Sequence, residues 1–206
     1  MGKPPDEAEG TATPDELSAL GAEVVDIFYT QVFAPGEYAT EATVCAAFSE
    51  ILLRHWNLCC LITYLRGEDG RLRESAIHTH QHMSEADGRR IGQRLAALVE
   101  ASEREHRVWL EEEEEEAANE ARALFAQTDI KGGIALPIMA RGSIMGAIVA
   151  ISSHPERLRA ADRGLRFIAA PIVIALGNAR RAAAIKEQRE QIEQLVEELR
   201  ARSSAL

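Results

Sequence analysis

The chain has 206 residues, 46% hydrophobic and 27% charged, the composition of one ordered globular domain with tails. Its 23 basic against 33 acidic side chains leave a net charge of -10, which opposes phosphate backbones and anionic lipid surfaces, so neither nucleic acid nor a membrane is an expected partner. Cys45, Cys59 and Cys60 have neither metal-ligand spacing nor the pattern of a disulfide framework, which fits a reducing cytoplasm.

Residues 1–12 are polar and proline-bearing, and are expected to form a disordered lead without a signal peptide. Thr13-Pro14-Asp15-Glu16 then reads as a helix start, with Thr13 as cap, Pro14 in the first turn and Glu16 closing a capping box. Leu17, Leu20, Val24 and Ile27 follow at helical spacing. A second helix is predicted over 41–56, with Val44, Phe48, Ile51 and His55 on one face.

The period then changes. Residues 58–65 form an apolar run suited to a buried strand, and the glycine-rich 66–70 turns the chain back into a strand over 71–80. Ser84-Glu85-Ala86-Asp87 is a second capping signature, opening a helix whose Ile91, Leu95 and Leu98 make one apolar face and which ends near Arg104. Residues 106–110 suit a short strand; the glutamate run 111–116 leads into a helix over 117–125.

Residues 134–140 and 144–152 make the clearest strand pair, joined by Arg141-Gly142-Ser143. Both strands are apolar on both faces, so helices are expected on each side of the sheet. From Pro155 the pattern is helical to the end, with Leu165, Ile168, Ile172, Ile174 and Leu176 expected to pack and Pro171 expected to kink or locally break the helix. Its apolar run, 167–176, is shorter than the roughly 20 residues that cross a bilayer. Beyond Asn178, Ile185, Ile192 and Leu199 recur every seven residues with Leu195 between the last two, as in one seam of a coiled coil; Gln188 and Arg202 interrupt it, predicting a short, weak dimer helix.

Residues 133–151 resemble the late hairpin of GAF domains: an apolar strand containing Pro137, a turn containing Gly142, and Gly146 opening the next strand. Residues 165–180, closing in Asn178-Ala-Arg180, resemble that family's last helix. The order of elements extends the similarity to roughly Leu17 through Arg180. The resemblance implies an α+β fold, a central antiparallel sheet with helices on both faces, the terminal helices on one of them, and a long C-terminal helix. It also implies a small-molecule pocket on the other face, formed partly by the middle segment. The family supplies regulatory sensor domains of bacterial signal-transduction proteins, upstream of kinases, phosphatases, cyclic-dinucleotide enzymes or transcription activators, and no motif of such an effector is present here.

On that reading 13–180 is a sensor domain and 181–206 a coiled-coil signalling helix. The candidate pocket comprises Cys60, Ile62, His78, Trp109, Phe125, Ile134 and Leu136, and dimerisation falls to the terminal helices and to Ile185, Ile192, Leu195 and Leu199. The expected partners are an unidentified small-molecule ligand, a second copy of the chain and a downstream effector; whether a cofactor is bound is unknown from the sequence. His78, His80 and His82 would share one face if their strand persisted, which raises a metal site. No carboxylate or fourth ligand stands at a fixed offset, so a solvated strand end is the preferred reading. Relatives that reduce free methionine sulfoxide use cysteines late in the domain, and this chain has none after Cys60; the Cys-His pair of bilin-binding relatives is also missing. No phosphate loop or catalytic triad can be defended, so a non-catalytic domain is expected. The alternatives are a ligand-free dimerisation module and, further off, a metal- or redox-active protein.

Overall fold

A computed structural model of the chain describes residues 22, 26, 40–80, 83–102, 108–109 and 130–204. Its elements are α1 (Glu41–His55), β1 (Cys60–Arg66), β2 (Leu72–Thr79), α2 (Glu85–Ser102), β3 (Val108–Trp109), β4 (Gly132–Ala140), β5 (Ser143–Ser152) and α3 (Pro155–Ser204). The predicted lead over 1–12 and the predicted helix over 117–125 lie outside the described residues. Of the predicted first helix only Ala22 and Asp26 are described, and both are helical.

The strands form one antiparallel sheet in the order β2-β1-β5-β4-β3. Each hairpin is set by its turn. Arg141 and Gly142 both adopt positive φ, 51° and 78°, the conformation a two-residue reversal between twisted strands requires. A register shift lies between Ile138 and Met139, just before the turn, and Gly146, the partner of Ile138, lies so close to β1 that a Cβ would stand 2.4 Å from the Tyr64 carbonyl oxygen. Gly146 therefore lets β1 and β5 pair in this register.

Side chains alternate between faces with period two. Leu61, Leu65, Ile134, Ile148 and Ala150 meet α1 and the first half of α3, while Cys60, Ile62, Tyr64, Ala147, Val149 and Ile151 meet α2. Helices thus clothe both faces, as the doubly apolar strands require. The Thr40 hydroxyl accepts from the Thr43 N–H at 3.1 Å and the Thr43 hydroxyl from the Thr40 N–H at 2.9 Å, so α1 opens with a reciprocal cap. Its buried stripe is Val44, Phe48 and Leu52; Ile51 is half-buried and His55 exposed, so the face is rotated from the one the spacing suggested. Trp56 lies across α3 at Gly164, where a Cβ would approach its ring to 2.2 Å.

The helix α3 runs unbroken through Pro171. Proline removes one backbone donor, and burial of Ile168 and Ile172 on either side against the sheet holds the helix across that loss. Ile174, expected in the core, is 53% exposed. It stands eleven residues before Ile185, about three helical turns, and so shares the side of the exposed seam rather than the packed side. The segment Ile168–Ser203 contains a stretch long and apolar enough by composition to cross a membrane; Ile168, Ile172 and Leu176, which contribute much of that character, are buried against the sheet.

Candidate functional site

The layer between the sheet and α2 is tightly closed. Gly88 and Gly92 bring α2 down onto β1: a Cβ on Gly92 would lie 2.4 Å from Ile62 Cδ1 and 2.7 Å from the Tyr64 hydroxyl, and one on Gly88 3.0 Å from Cys60 Sγ. Cys60, Ile62, Ile91 and Leu95 are fully buried there. Burial pushes the Cys60 thiol up to about 12, with the neighbouring Cys59 contributing in the same direction, so it is a neutral core group at neutral pH. Tyr64, 3% exposed, has a hydroxyl with no hydrogen-bond partner among the described residues, and burial holds its ionisation well above the ordinary phenol range.

Of the seven predicted pocket residues, the five whose side chains are described do not converge. Cys60 and Ile62 face α2, whereas Ile134 and Leu136 pack with α1 and α3. His78 is half-buried and pairs with Leu61, which points to the α1 side. The alternation of β-strands explains the split: even positions of β1 face α2, and the register with β2 and β4 carries His78 and Ile134 to the opposite side. Trp109 pairs through its backbone with Ile134; its side chain and Phe125 lie outside the described residues, as does His82. Since β2 ends at Thr79, the strand that would have aligned His78 with His80 stops short of His80.

Open space lies instead at the end of the sheet where β1 begins and β2 and β5 finish, as a cleft of about 540 Å³. Three chain reversals build it. After α1, Asn57 takes φ 46°, its N–H donating to the Arg54 carbonyl at 3.2 Å and the Leu58 N–H to Leu53 at 3.1 Å; asparagine tolerates this left-handed cap well. The reversal turns the Asn57 carbonyl outward, where it accepts from Arg157 Nη1 at 2.9 Å. Cys59 is then gripped on both sides of the backbone, its N–H donating to Ile151 at 3.0 Å and its carbonyl accepting from His80 at 2.8 Å. Its half-buried thiol accepts from the Ser153 N–H at 3.3 Å.

The second reversal, after β2, reaches Ser84, whose hydroxyl accepts from the Asp87 N–H at 3.1 Å and donates to Asp87 Oδ2 at 2.6 Å, starting α2 as the sequence indicated. In the third, after β5, the His154 N–H donates to the Ser152 hydroxyl at 3.1 Å and α3 begins at Pro155, with the Arg157 N–H donating to the His154 carbonyl at 3.1 Å. Arg157, His80 and His154 line the cleft together with the apolar Leu58, Met83 and Ile130. No sequence motif marks this constellation; its one signal along the chain is the pair of helix starts at Ser84 and Pro155.

No family model matches the chain, and no curated protein matches it either. Solved structures share its fold. The chain is similar to the GAF domain of an Acinetobacter phosphoenolpyruvate-protein phosphotransferase, with TM-score 0.54 and 15% identity over 84% of this chain and 98% of that one. It is equally similar to free methionine-R-sulfoxide reductase from Neisseria meningitidis, solved with its substrate, at TM-score 0.54 and 15% identity over 85% and 98%. A phycocyanobilin-bound GAF domain from a cyanobacterial phytochrome matches at TM-score 0.54 and 11% identity over 79% and 96%. The chain has the GAF fold, an α+β arrangement around one antiparallel sheet.

Proposed function

We propose that the chain is a non-catalytic regulatory domain of a bacterial signalling protein, acting in the cytoplasm as a homodimer. On this reading residues 13–180 form the sensor and 181–206 the signalling helix, and a small molecule bound by the sensor shifts the packing of the terminal helices and so an effector downstream. The observation that carries it is the continuity of α3. Leu158, Ala161, Leu165, Ile168, Ile172 and Leu176 are buried against the sheet, and the same helix continues to Ile185, Ile192, Leu195 and Leu199, which are 61%, 61%, 59% and 64% exposed. Apolar residues repeating at heptad spacing and left open to water favour pairing with a second copy, and the rigid helix joins that seam to the sheet. The GAF folds solved with a bilin or a methionine sulfoxide substrate support a small-molecule input.

Sedimentation velocity on the full chain is expected to show a dimer. Thermal unfolding in the presence of metabolite pools is expected to shift with at least one pool; a dimer that no pool shifts would remove the ligand from this reading. One observation favours the rival, a ligand-free dimerisation module: the layer between the sheet and α2 is filled by the domain's own side chains, Ile62, Ile91 and Leu95 among them. The two readings part at the question of whether anything binds elsewhere in the domain.

A further inference from the structure

The geometry points to the cleft at the sheet end as a binding site for a small organic anion, an acidic head group carried on an apolar body. This deepens the ligand-responsive reading and rests on it for its purpose, so binding and self-association are measured separately below.

The volume, about 540 Å³, lies within the range of sites that enclose metabolite-sized ligands. Arg157 is positioned for a head group: the Asn57 carbonyl fixes one end of its guanidinium, and a guanidinium presents further N–H groups in a fixed fork suited to carboxylate or phosphate oxygens. His80 and His154 line the same space. On a chain of net charge -10, a cleft lined by Arg157 and two imidazoles against one carboxylate, Asp87, is poorer in negative charge than the chain at large. Two carboxylates bear on the site: Asp87 lines the cleft, and Glu156 stands beside it. Asp87 accepts from the Ser84 hydroxyl and pairs with Arg90 at 3.4 Å, and Glu156 is paired with His154 at 3.3 Å and points into solvent, 70% exposed. Asp87 is thus engaged along α2, while the Asn57 carbonyl engages one of the five guanidinium N–H donors of Arg157. Leu58, Met83 and Ile130 supply the apolar surface that a body behind the head group would cover.

The test titrates the uniformly 15N-labelled full chain with phenyl phosphate, benzoate and benzyl alcohol, following amide shifts. Saturable shifts of residues 57–59, 84–87, 153, 154, 156 and 157 with phenyl phosphate or benzoate are expected, the stronger of the two naming the head group, and benzyl alcohol is expected to leave them unmoved. Arg157→Gln is expected to weaken anion binding at least tenfold, whereas Arg141→Gln, in the turn at the opposite end of the sheet, leaves it within twofold. The spectrum of each variant checks its fold, and sedimentation checks that it remains in the parent's association state. The inference is overturned if neither anion binds saturably, if benzyl alcohol binds as well as the anions, or if a folded Arg157→Gln chain binds like the parent. A dimer with no anion binding would sink the cleft and spare the dimeric reading; a monomer that binds the anion would do the reverse.

Discussion

Up to Ala179, α3 buries Leu158, Ala161, Leu165, Ile168, Ile172 and Leu176; beyond Arg180 the same helix exposes every large apolar side chain it carries. The backbone is continuous, so the difference lies in spacing and surroundings. In the first half apolar residues recur at three and four and meet a sheet already covered by α1 on the neighbouring ground, which gives a wide buried stripe. In the second half they follow a seven-residue repeat among charges and meet nothing else among the described residues. A narrow stripe of that kind is suited to a partner helix, and Ile174, exposed on the same side, extends it into the domain. Stability and association should therefore be separable along one helix.

The largest effect is expected in the buried half. Leu165→Ala should cost about 2–5 kcal/mol of domain stability, read as a lowered urea midpoint, with little change in the dimer dissociation constant. An unchanged midpoint would dissolve the contrast. Its counterpart is Ile192→Glu combined with Leu199→Glu, which should raise the dissociation constant about 100-fold, roughly 3 kcal/mol, in sedimentation equilibrium while circular dichroism still reports a folded domain. If the double variant stayed fully dimeric, the seam would not be the contact. Next comes Gly164→Ala, whose Cβ would meet Trp56 at 2.2 Å; about 1–3 kcal/mol of destabilisation is expected from chemical denaturation.

Buried and exposed neighbours can be set against each other once more at 59–60. Burial raises the thiols of Cys45 and Cys60 to about 11 and about 12, from 9 in the unfolded chain. Their folded values lie above their unfolded ones, so the stability tied to the neutral thiols is complete below pH 9 and is lost as pH rises from 9 towards about 11 for Cys45 and about 12 for Cys60, at up to about 1.4 kcal/mol per pH unit for each thiol. Urea midpoints measured from pH 8 to pH 11 should fall accordingly. At pH 8 a thiol-alkylating reagent should label half-buried Cys59 in the native chain well before the other two. The smallest effect belongs to the junction of the two halves, where Arg180 bonds Glu41 at the start of α1. Both side chains are partly solvated, so a double-mutant cycle on this pair should yield well under 1 kcal/mol.

Much of the fold was legible because it is written in local periodicity. The turn at Arg141-Gly142, the cap at Ser84 and the change from period two to helical spacing after Pro155 are each confined to a few neighbouring residues, and each was found where expected. The pocket was a different matter. Strand alternation fixes that Cys60 and Leu61 oppose one another, but which residues of β2 and β4 join each face depends on register, and register includes the bulges at Thr63/Tyr64 and Ile138/Met139. His78, Ile134 and Leu136 were grouped with Cys60 and Ile62 by chemistry alone; the sheet puts them on its other side.

The sequence by itself determined the sheet's hairpins, the two-sided apolar strands that demand helices above and below, and the heptad seam beyond Arg180. These are short-range patterns, and hydrophobic burial reads them the same way in any compact arrangement. Tertiary structure alone decided that α2 would close against β1 through Gly88 and Gly92, that Ile174 would face water, and that Asn57, His80 and Arg157 would meet around one cleft. Those residues come from reversals far apart in the chain, carry no shared motif, and become neighbours only because three strand ends and two helix starts are brought to the same edge of the sheet.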